Sequence, residues 1–164
     1  MAEVYGTVAG FHTYHSERGH SLPPIFSDDS EVAAALLVAS EWVDARYRRS
    51  FNGVKIGGRE QERDWPRDHA SDVYGNDLIG VPREIEYAVY EAAAIQGASP
   101  GALSVNWTPG KYQSVSISGA VSVVYGTVSS ASEAQTQFAI ITEILSTILS
   151  TQGNNVPYVG SSWR

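Results

Sequence analysis

Three histidines near the N-terminus are the side chains best suited to holding a metal ion, because imidazoles and nearby carboxylates are good ligands for transition metals. They are His12, His15 and His20, with Glu17, Asp28 and Asp29 close by in the sequence. His12 and His15 share one face of a predicted helix, but His20 follows Gly19, where that helix is expected to end. Because this spacing matches no metal-ligand motif, we expect solvated or capping histidines and predict no metal site.

A fourth histidine, His69, lies beside Asp68 and Asp72, and this combination could perform general acid–base chemistry. No nucleophile accompanies it, and Gly53 and Gly57-Gly58 form no phosphate loop because no Gly-Lys-Ser/Thr follows them. The absence of cysteine excludes disulfides, thiolate metal sites and thiol nucleophiles. We therefore expect His69 to form hydrogen bonds within a loop, and we expect a protein that is not an enzyme and needs no cofactor. A small hydrolase centred on His69 is the distant alternative.

Basic residues are concentrated in the segment 46–67, which holds seven of the 11 in the chain. With aromatic rings between its cations, such a segment can contact single-stranded nucleic acid through phosphate pairing and base stacking. The candidate DNA-contacting residues are Arg46, Arg48, Arg49 and Trp65, with Tyr47 as a further ring. Interleaved acidic residues leave the segment at only +4, so internal ion pairs that order the loop are the favoured interpretation. Nucleic-acid binding stays open as the alternative.

The 164-residue chain has a net charge of −7, which disfavours nonspecific binding to duplex DNA. From Ala98 onward its only charged side chains are Lys111, Glu133, Glu143 and Arg164. Free surfaces normally carry interspersed charges, so this half suits a surface covered by another protein. A neutral surface rich in Ser and Thr is the equally weighted alternative. With no run of about 18 apolar residues and no basic N-terminal region, we expect neither a membrane span nor a secretory leader.

Hydrophobic periodicity predicts three helices in the first hundred residues. They are expected at about 7–18, 29–50 and 82–96, begun by Thr7, Asp28 and Pro82. The second has the clearest apolar stripe, formed by Val32, Leu36, Ala39, Val43 and Tyr47. Gly97 is expected to end the third helix. Between the second and third helices, residues 52–80 contain several glycines and no sustained period, which indicates a long ordered loop.

Farther along the chain the apolar period changes to two, which predicts a β-hairpin at about 111–126 before a fourth helix at about 132–151. The apolar residues of this helix cover about half of its circumference. This is wider than one packing contact needs, so we expect part of the helix and the hairpin to contact a neighbouring subunit. The candidate interface residues are Tyr112, Val115, Ile117, Val121, Val123, Ile140 and Ile144.

Together these elements predict a mainly α fold. It is a small bundle of about four helices with a β-hairpin inserted before the last helix. Residues 1–151 are expected to form a single domain, and residues 152–164, which lack a helical pattern, to form an extended C-terminal arm.

The order of motifs along residues 3–97 resembles that of a known family. Tyr14…Glu17-Arg18-Gly19 precedes an alanine-rich helix that ends in Trp42-Val-Asp-Ala-Arg-Tyr-Arg48, and Gly53, Asp64-Trp-Pro-Arg67, Val81-Pro82 and an alanine-rich third helix follow. This order is similar to that of the tailed-phage head–tail connector proteins, a group also labelled DnaT-like single-stranded-DNA-binding protein. The pairing of Asp-Ala-Arg-Tyr with Trp-Pro-Arg is the most specific part of the resemblance.

The resemblance implies a structural adaptor of the virion that is assembled in the host cytoplasm. About twelve copies would form a ring beneath the portal protein, extend the DNA channel and dock a further neck or stopper protein. Genomic DNA would pass through the ring without specific binding, which suits the net negative charge. The C-terminal arm would grip the portal through Val156, Pro157, Tyr158, Val159, Trp163 and Arg164. No membrane is expected among its partners.

Overall fold

The computed structural model describes residues 3–20, 26–104, 114–117, 121–124 and 138–150. The elements in chain order are α1 (Val8–Glu17), α2 (Asp29–Tyr47), β1 (Val54–Lys55), β2 (Arg67–Asp68), α3 (Arg83–Ala98), β3 (Ser114–Ile117), β4 (Val121–Val124) and α4 (Ala139–Leu145). The described parts of Met1–Leu103 and Ala139–Arg164 form one compact unit, and those of Ser104–Phe138 form another. The fold is mainly α with a small antiparallel hairpin, which confirms the predicted fold class.

Side-chain caps fix where the first two helices begin. At the start of α1, Thr7 Oγ1 accepts a hydrogen bond from the Gly10 N–H at 3.0 Å. At the start of α2, Asp28 Oδ1 accepts from two backbone N–H groups of the first turn, at 2.8 and 3.1 Å. Glu31 completes this cap by accepting from the Ser27 N–H at 2.7 Å. These bonds satisfy N–H groups that the helices themselves leave unpaired.

The core of the first unit lies between α2, α3 and α4. Helix α3 packs against both α2 and α4, and α1 contacts α2 and α3. All five residues of the stripe predicted for α2 are buried, and so are the four apolar residues predicted for α3. The latter are Ile85, Ala88, Val89 and Ala92. The helical period therefore identified the core-facing sides of both helices correctly.

Helices α2 and α3 end at other residues than the periodicity suggested. Helix α2 ends at Tyr47, because the next three residues form a turn in which the Ser50 N–H donates to the Tyr47 carbonyl at 2.8 Å. Helix α3 continues through Gly97 to Ala98. Gly97 serves packing rather than termination, since a Cβ atom at this position would overlap the ring of Phe26.

Helix α4 is described from Ala139 to Leu145, and the predicted start at 132–137 lies outside the described residues. After Leu145 the chain leaves the helix and pairs with the start of the loop that follows α2. Leu149 forms an antiparallel bridge with Phe51, and the Ser150 N–H donates to the Ser50 carbonyl at 2.7 Å. A helix continuing to 151 would need the same backbone groups, so the two arrangements exclude each other.

The loop over 52–80 is ordered around β1 and β2, which form a two-residue antiparallel ladder. Val54 pairs with Asp68, and Lys55 pairs with Arg67. Gly53 precedes this ladder with a φ of +71°, and a Cβ atom there would collide with the Asp68 carbonyl. Only glycine combines that φ with so close an approach of two backbone segments.

The second unit contains the hairpin formed by β3 and β4. Its register places Val115 opposite Val123 and Ile117 opposite Val121. The strands fall within the predicted range 111–126. Within the described parts of the chain, every helix is too short or too polar to cross a lipid bilayer.

Candidate interaction surface

The two motifs that carry most of the resemblance meet inside the first unit. Helix α2 contributes Asp44, and the loop contributes Arg63, Asp64 and Trp65, all of which are at most 8% exposed. Tyr5, which precedes α1, is buried against them. We refer to Tyr5, Asp44, Arg63, Asp64 and Trp65 as the charged anchor. Buried charges persist only when they are paired or hydrogen-bonded, so their partners decide what this cluster does.

Asp44 is the centre of the charged anchor. Its Oδ1 accepts a hydrogen bond from the Tyr5 hydroxyl at 2.7 Å, and its Oδ2 accepts from the Asp64 N–H at 3.3 Å. The Tyr5 oxygen in turn accepts from the Trp65 N–H at 2.9 Å. One carboxylate and one hydroxyl therefore fix two consecutive backbone N–H groups of the loop against α2.

Burial sets the protonation of this pair. Desolvation raises the pKa of Asp44 above its ordinary value, and the Tyr5 hydrogen bond and the Arg63 guanidinium partly offset that rise. Desolvation and the neighbouring Asp44 also raise the pKa of Tyr5 well above that of a free tyrosine. The Tyr5 hydroxyl consequently remains protonated and keeps its role as a donor.

Ion pairs surround Asp64 and Arg63. Asp64 lies 3.4 Å from Lys55 Nζ, 3.6 Å from Arg48 Nε and 4.0 Å from Arg67 Nη1. The Arg63 guanidinium lies 3.7 Å from Asp44 and also faces two exposed carboxylates of Glu41 and Glu62, at 3.9 and 3.5 Å. The charged anchor and its ionic neighbours thus contain four cations and four carboxylates, so their charges balance.

Arg67 also acts through the backbone. Its Nε donates to the Asn52 carbonyl at 2.6 Å and its Nη2 donates to the Gly53 carbonyl at 2.7 Å. Both carbonyls lie just before β1, so one side chain ties the two ends of the β1–β2 loop together. The favoured expectation for the basic segment, internal ion pairing that orders the loop, is what the geometry of Arg48, Arg63 and Arg67 shows.

The four candidate DNA-contacting residues have different surroundings. Trp65 is 1% exposed and packs edge-on against Phe51 at 5.6 Å, so its ring offers no face to a nucleotide base. Arg48 is held by Asp64 and by the Asp44 carbonyl. Arg46 is half-buried and has an interaction partner. Arg49 is exposed and forms no ion pair with any residue that the structure describes.

Large apolar side chains of the same loop point outward. The exposed apolar residues of the loop are Val54, Ile56, Val73, Tyr74, Ile79 and Val81. Ile79 is 92% exposed, Tyr74 79% and Ile56 63%. Isolated exposed apolar residues are normal, but six such large side chains within 28 consecutive residues suit contact with another protein.

The exposure of these side chains is not the result of a loose backbone. The Val73 N–H donates to the Thr147 carbonyl and the Leu78 N–H donates to the Ala70 carbonyl, both at 2.8 Å. The Asp72 carboxylate accepts from the Asn76 side-chain amide at 2.8 Å and from the backbone N–H groups of Tyr74 and Asn76 at 2.8 and 2.9 Å, and these bonds lower its pKa. The loop therefore presents its apolar side chains on a backbone that is hydrogen-bonded in place.

Only some of the other predicted site residues lie in the part of the chain that the structure describes. Ile140 is 45% exposed and Ile144 is half-buried on α4. The backbone of β3 and β4 holds four of the hairpin candidates in paired register. Tyr112 and the whole arm at 152–164 lie outside the described residues, so the predictions for them stay predictions.

The histidines differ in their partners. His12 Nε2 lies 3.2 Å from Asp29 Oδ1, and His69 Nε2 lies 3.5 Å from Asp68 Oδ2, both at the surface. His15 is 2% exposed, unlike the solvated histidine that the sequence suggested. Its ring contacts α3, which lies far from α1 in the sequence.

Sequence reasoning missed Tyr5, Lys55 and the exposed apolar residues of the loop. Tyr5 lies in a segment with no hydrophobic period, and its role depends on a hydrogen bond to Asp44, which is 39 residues away in the sequence. The loop residues carried a signal that was available: Val, Ile and Tyr recur between 73 and 81 in a stretch rich in Gly, Asp and Asn. Because these apolar residues follow neither a helical nor a strand period, the sequence does not indicate which of them face the core and which face solvent.

Comparison with known proteins gives one match. The family model described as "Putative DnaT-like ssDNA binding protein" matches residues 1–160. No curated protein and no solved structure matches the chain.

Proposed function

This chain belongs to the DnaT-like family, and we propose that it is a structural head–tail connector subunit of a tailed phage. In this proposal about twelve subunits form a ring beneath the portal protein, extend the DNA channel and dock the next neck component. The protein is not an enzyme and works in the virion. The proposal joins the resemblance of residues 3–97 to connector proteins with the surface of the first unit.

The observation that carries the proposal is the exposed apolar surface of an anchored loop. A protein that worked as a free monomer would gain nothing from fixing Tyr74 and Ile79 in water on a hydrogen-bonded backbone. Ring subunits need such surfaces, because interface cores are enriched in aromatic and aliphatic side chains on rigid supports.

The charged anchor supports the same function in a second way. Arg63 of the anchor and the three cations around Asp64, which are Arg48, Lys55 and Arg67, are paired with carboxylates of the same chain, so they carry little attraction for phosphate. A channel wall must let DNA slide, and unpaired cations along it would retain the DNA. The predicted contacts through the hairpin, Ile140 and Ile144 and through the arm at 152–164 complete the proposal as subunit and portal contacts.

The test measures assembly of the purified protein by mass photometry and by electron microscopy of particles mixed with portal. We expect rings, and we expect Ile79→Glu to shift the protein to monomers because a buried charge disfavours the interface. Ala34→Glu is the matched control, since it adds the same charge at an exposed position of α2. A wild-type protein that stays monomeric at all concentrations and with portal present would overturn the proposal.

Binding of single-stranded DNA is the second candidate, and the family description favours it. Among the predicted contacts, Arg49 is the side chain best placed to meet a phosphate, because it is exposed and unpaired within the described part of the chain. Fluorescence anisotropy with a single-stranded oligonucleotide at 50 and 200 mM salt tests this candidate. Micromolar affinity that falls with salt and weakens in Arg49→Ala, but not in His69→Ala, would favour it.

A further inference from the structure

Three potential metal ligands converge where the end of α1 meets the middle of α3. His15 comes from the last turns of α1, His20 from the chain just after α1, and Glu91 from α3. One ligand atom from each side chain lies within 4.8 Å of the other two. Two of the three are buried, since His15 is 2% exposed and Glu91 is 8% exposed. Sequence spacing points to the two histidines as possible ligands but not to Glu91, which lies 71 or more residues beyond them.

The hydrogen bonds of His15 fix which of its nitrogens is free. Its Nε2 lies 3.3 Å from the Tyr90 carbonyl oxygen, which can only accept, so Nε2 carries the proton. In the neutral ring, Nδ1 then presents a lone pair toward His20 Nδ1. Metal-binding histidines commonly have this arrangement, in which the second nitrogen donates to a backbone carbonyl.

The spacing of the two imidazoles fits a tetrahedral ion. His15 Nδ1 and His20 Nδ1 lie 3.4 Å apart. Two nitrogens bound to Zn²⁺ at about 2.0–2.1 Å with a tetrahedral angle are separated by about 3.3 Å. The ligand atoms of all three residues lie within 4.8 Å of one another, and the exposed side chain of His20 can adjust its torsions toward a shared ion.

Glu91 supplies the negative charge. Its Oε1 accepts a hydrogen bond from the Tyr14 hydroxyl at 2.9 Å. No Lys or Arg among the described residues pairs with Glu91. A buried carboxylate without a cationic partner is unfavourable unless hydrogen bonds or a metal ion compensate its charge. A divalent cation between Glu91 and the two lone pairs would compensate its charge.

The remaining neighbours leave this position available. The rings of Phe11 and Tyr14 meet His15 edge-on at 4.6 and 5.0 Å and form an apolar wall. Arg18, the nearby cation, is held with its guanidinium carbon 3.6 Å from the centre of the Tyr14 ring, and its Nη1 donates to the Tyr14 carbonyl at 3.1 Å. Its guanidinium is therefore engaged with the ring and the backbone of Tyr14.

We propose that His15, His20 and Glu91 form a binding site for a divalent transition-metal ion of the zinc class. The ion joins the end of α1 to α3 and leaves one coordination position for water or a further ligand. This site is separate from the exposed apolar loop, and the proposal does not depend on the function proposed above. The ion stabilises the folded protein because the unfolded chain does not bring these three groups together.

The test uses the full chain after treatment with a chelator, with Zn²⁺ alone and then Co²⁺ as probes. Isothermal titration calorimetry should show one Zn²⁺ per chain, and at 100 times the dissociation constant the midpoint of thermal unfolding should rise by roughly 5–10 °C. Co²⁺ should give the intense visible absorption of a tetrahedral complex with nitrogen and oxygen ligands.

Two variants and one control assign the ligands. His20→Ala, at an exposed position, should keep the fold and weaken Zn²⁺ binding at least tenfold, and Glu91→Gln should do the same while preserving the bond from Tyr14. His12→Ala removes an exposed imidazole from the same helix and should leave binding unchanged. Absence of Zn²⁺ binding in the wild-type protein would overturn the proposal, and the contact between the two imidazoles would then be a hydrogen bond only. Equal loss of binding in His12→Ala would overturn it as well.

Discussion

The two parts of the loop between α2 and α3 distribute polar and apolar side chains in opposite ways. Residues 61–67 bury Arg63 and Asp64 together with Trp65, whereas residues 72–81 leave Tyr74 and Ile79 exposed. In a monomeric domain without a binding partner, the apolar side chains are expected to be buried and the charged ones exposed. The difference indicates that charge gives this loop its shape, and that its apolar side chains remain available to a partner.

Ionic groups are suited to shaping the loop because their hydrogen bonds are directional. An apolar cluster of the same volume could stabilise the domain as well or better, but it would not specify which backbone atoms meet. Asp44 and Arg67 each contact backbone groups at defined distances. These contacts place the residues that follow in one arrangement, which is what a rigid interface requires.

The largest expected effect comes from breaking the buried ion pair of the charged anchor. Arg63→Leu leaves Asp44 buried without its cation, and we expect the free energy of unfolding to fall by about 3–5 kcal/mol. Urea denaturation at pH 7, followed by tryptophan fluorescence, measures this change because Trp65 lies within the cluster. Arg59→Leu, at an exposed position of the same loop, is the matched control and should change the free energy by less than about 0.5 kcal/mol.

A loss below about 1 kcal/mol in Arg63→Leu would contradict the role of the charged anchor. It would mean that Asp44 finds another partner, or that the loop is held by apolar packing alone. The double variant Arg63→Leu with Asp44→Leu separates these cases, because removal of both charges should restore part of the stability.

The next effect concerns the hydroxyl that links Asp44 to the loop backbone. Tyr5→Phe removes the hydrogen bonds that Tyr5 forms with Asp44 Oδ1 and with the Trp65 N–H, so we expect the free energy of unfolding to fall by about 2–3 kcal/mol. The same denaturation measurement applies. Tyr74→Phe removes a hydroxyl from a ring that is 79% exposed and should be nearly neutral. Equal small effects of both substitutions would show that the Tyr5 bonds are exchangeable with water.

The sequence predicted the regular part of this molecule better than the anchored loop. The caps at Thr7 and Asp28 and the apolar stripe of α2 are local signals, and they correspond to the observed elements. The charged anchor depends on contacts between residues 20 to 60 positions apart. The interleaved charges of the basic segment predicted that its cations form internal ion pairs. They could not predict which cations are buried, such as Arg63, and which are exposed, such as Arg49.

The metal-ligand cluster shows the same limit. His15 and His20 were recognised as possible ligands, yet the third member lies on another helix. A search for ligands at short spacing cannot find a site whose members are brought together only by helix packing. Gly97 is a comparable case, because a glycine near a predicted helix end indicates termination unless the packing of Phe26 is known.

The pH dependence of stability distinguishes a buried carboxylate from an exposed one. Burial raises the pKa of Asp44, so the folded state binds its proton more tightly than the unfolded chain does. The stability of the wild-type protein relative to Asp44→Asn should therefore increase as the pH falls toward the ordinary pKa of aspartate. Asp28 has a lowered pKa because it accepts hydrogen bonds from Ser30 and Glu31, so wild type relative to Asp28→Asn should lose stability as the pH falls. Identical slopes for both pairs would contradict the assignment.

The smallest expected effect on stability belongs to the exposed apolar residues of the loop. Ile79→Ser removes a side chain that is 92% exposed, so the folded monomer loses almost no buried apolar area, and the free energy of unfolding should change by less than about 0.5 kcal/mol. Urea denaturation at a protein concentration where only monomers are present measures this change in the stability of the monomer, without any contribution from assembly. Assembly should instead require a higher protein concentration, because the interface loses an apolar contact. A loss of more than 1 kcal/mol in the monomer would show that Ile79 stabilises its own domain, and the contrast between the buried charged part of the loop and its exposed apolar part would then no longer indicate a partner.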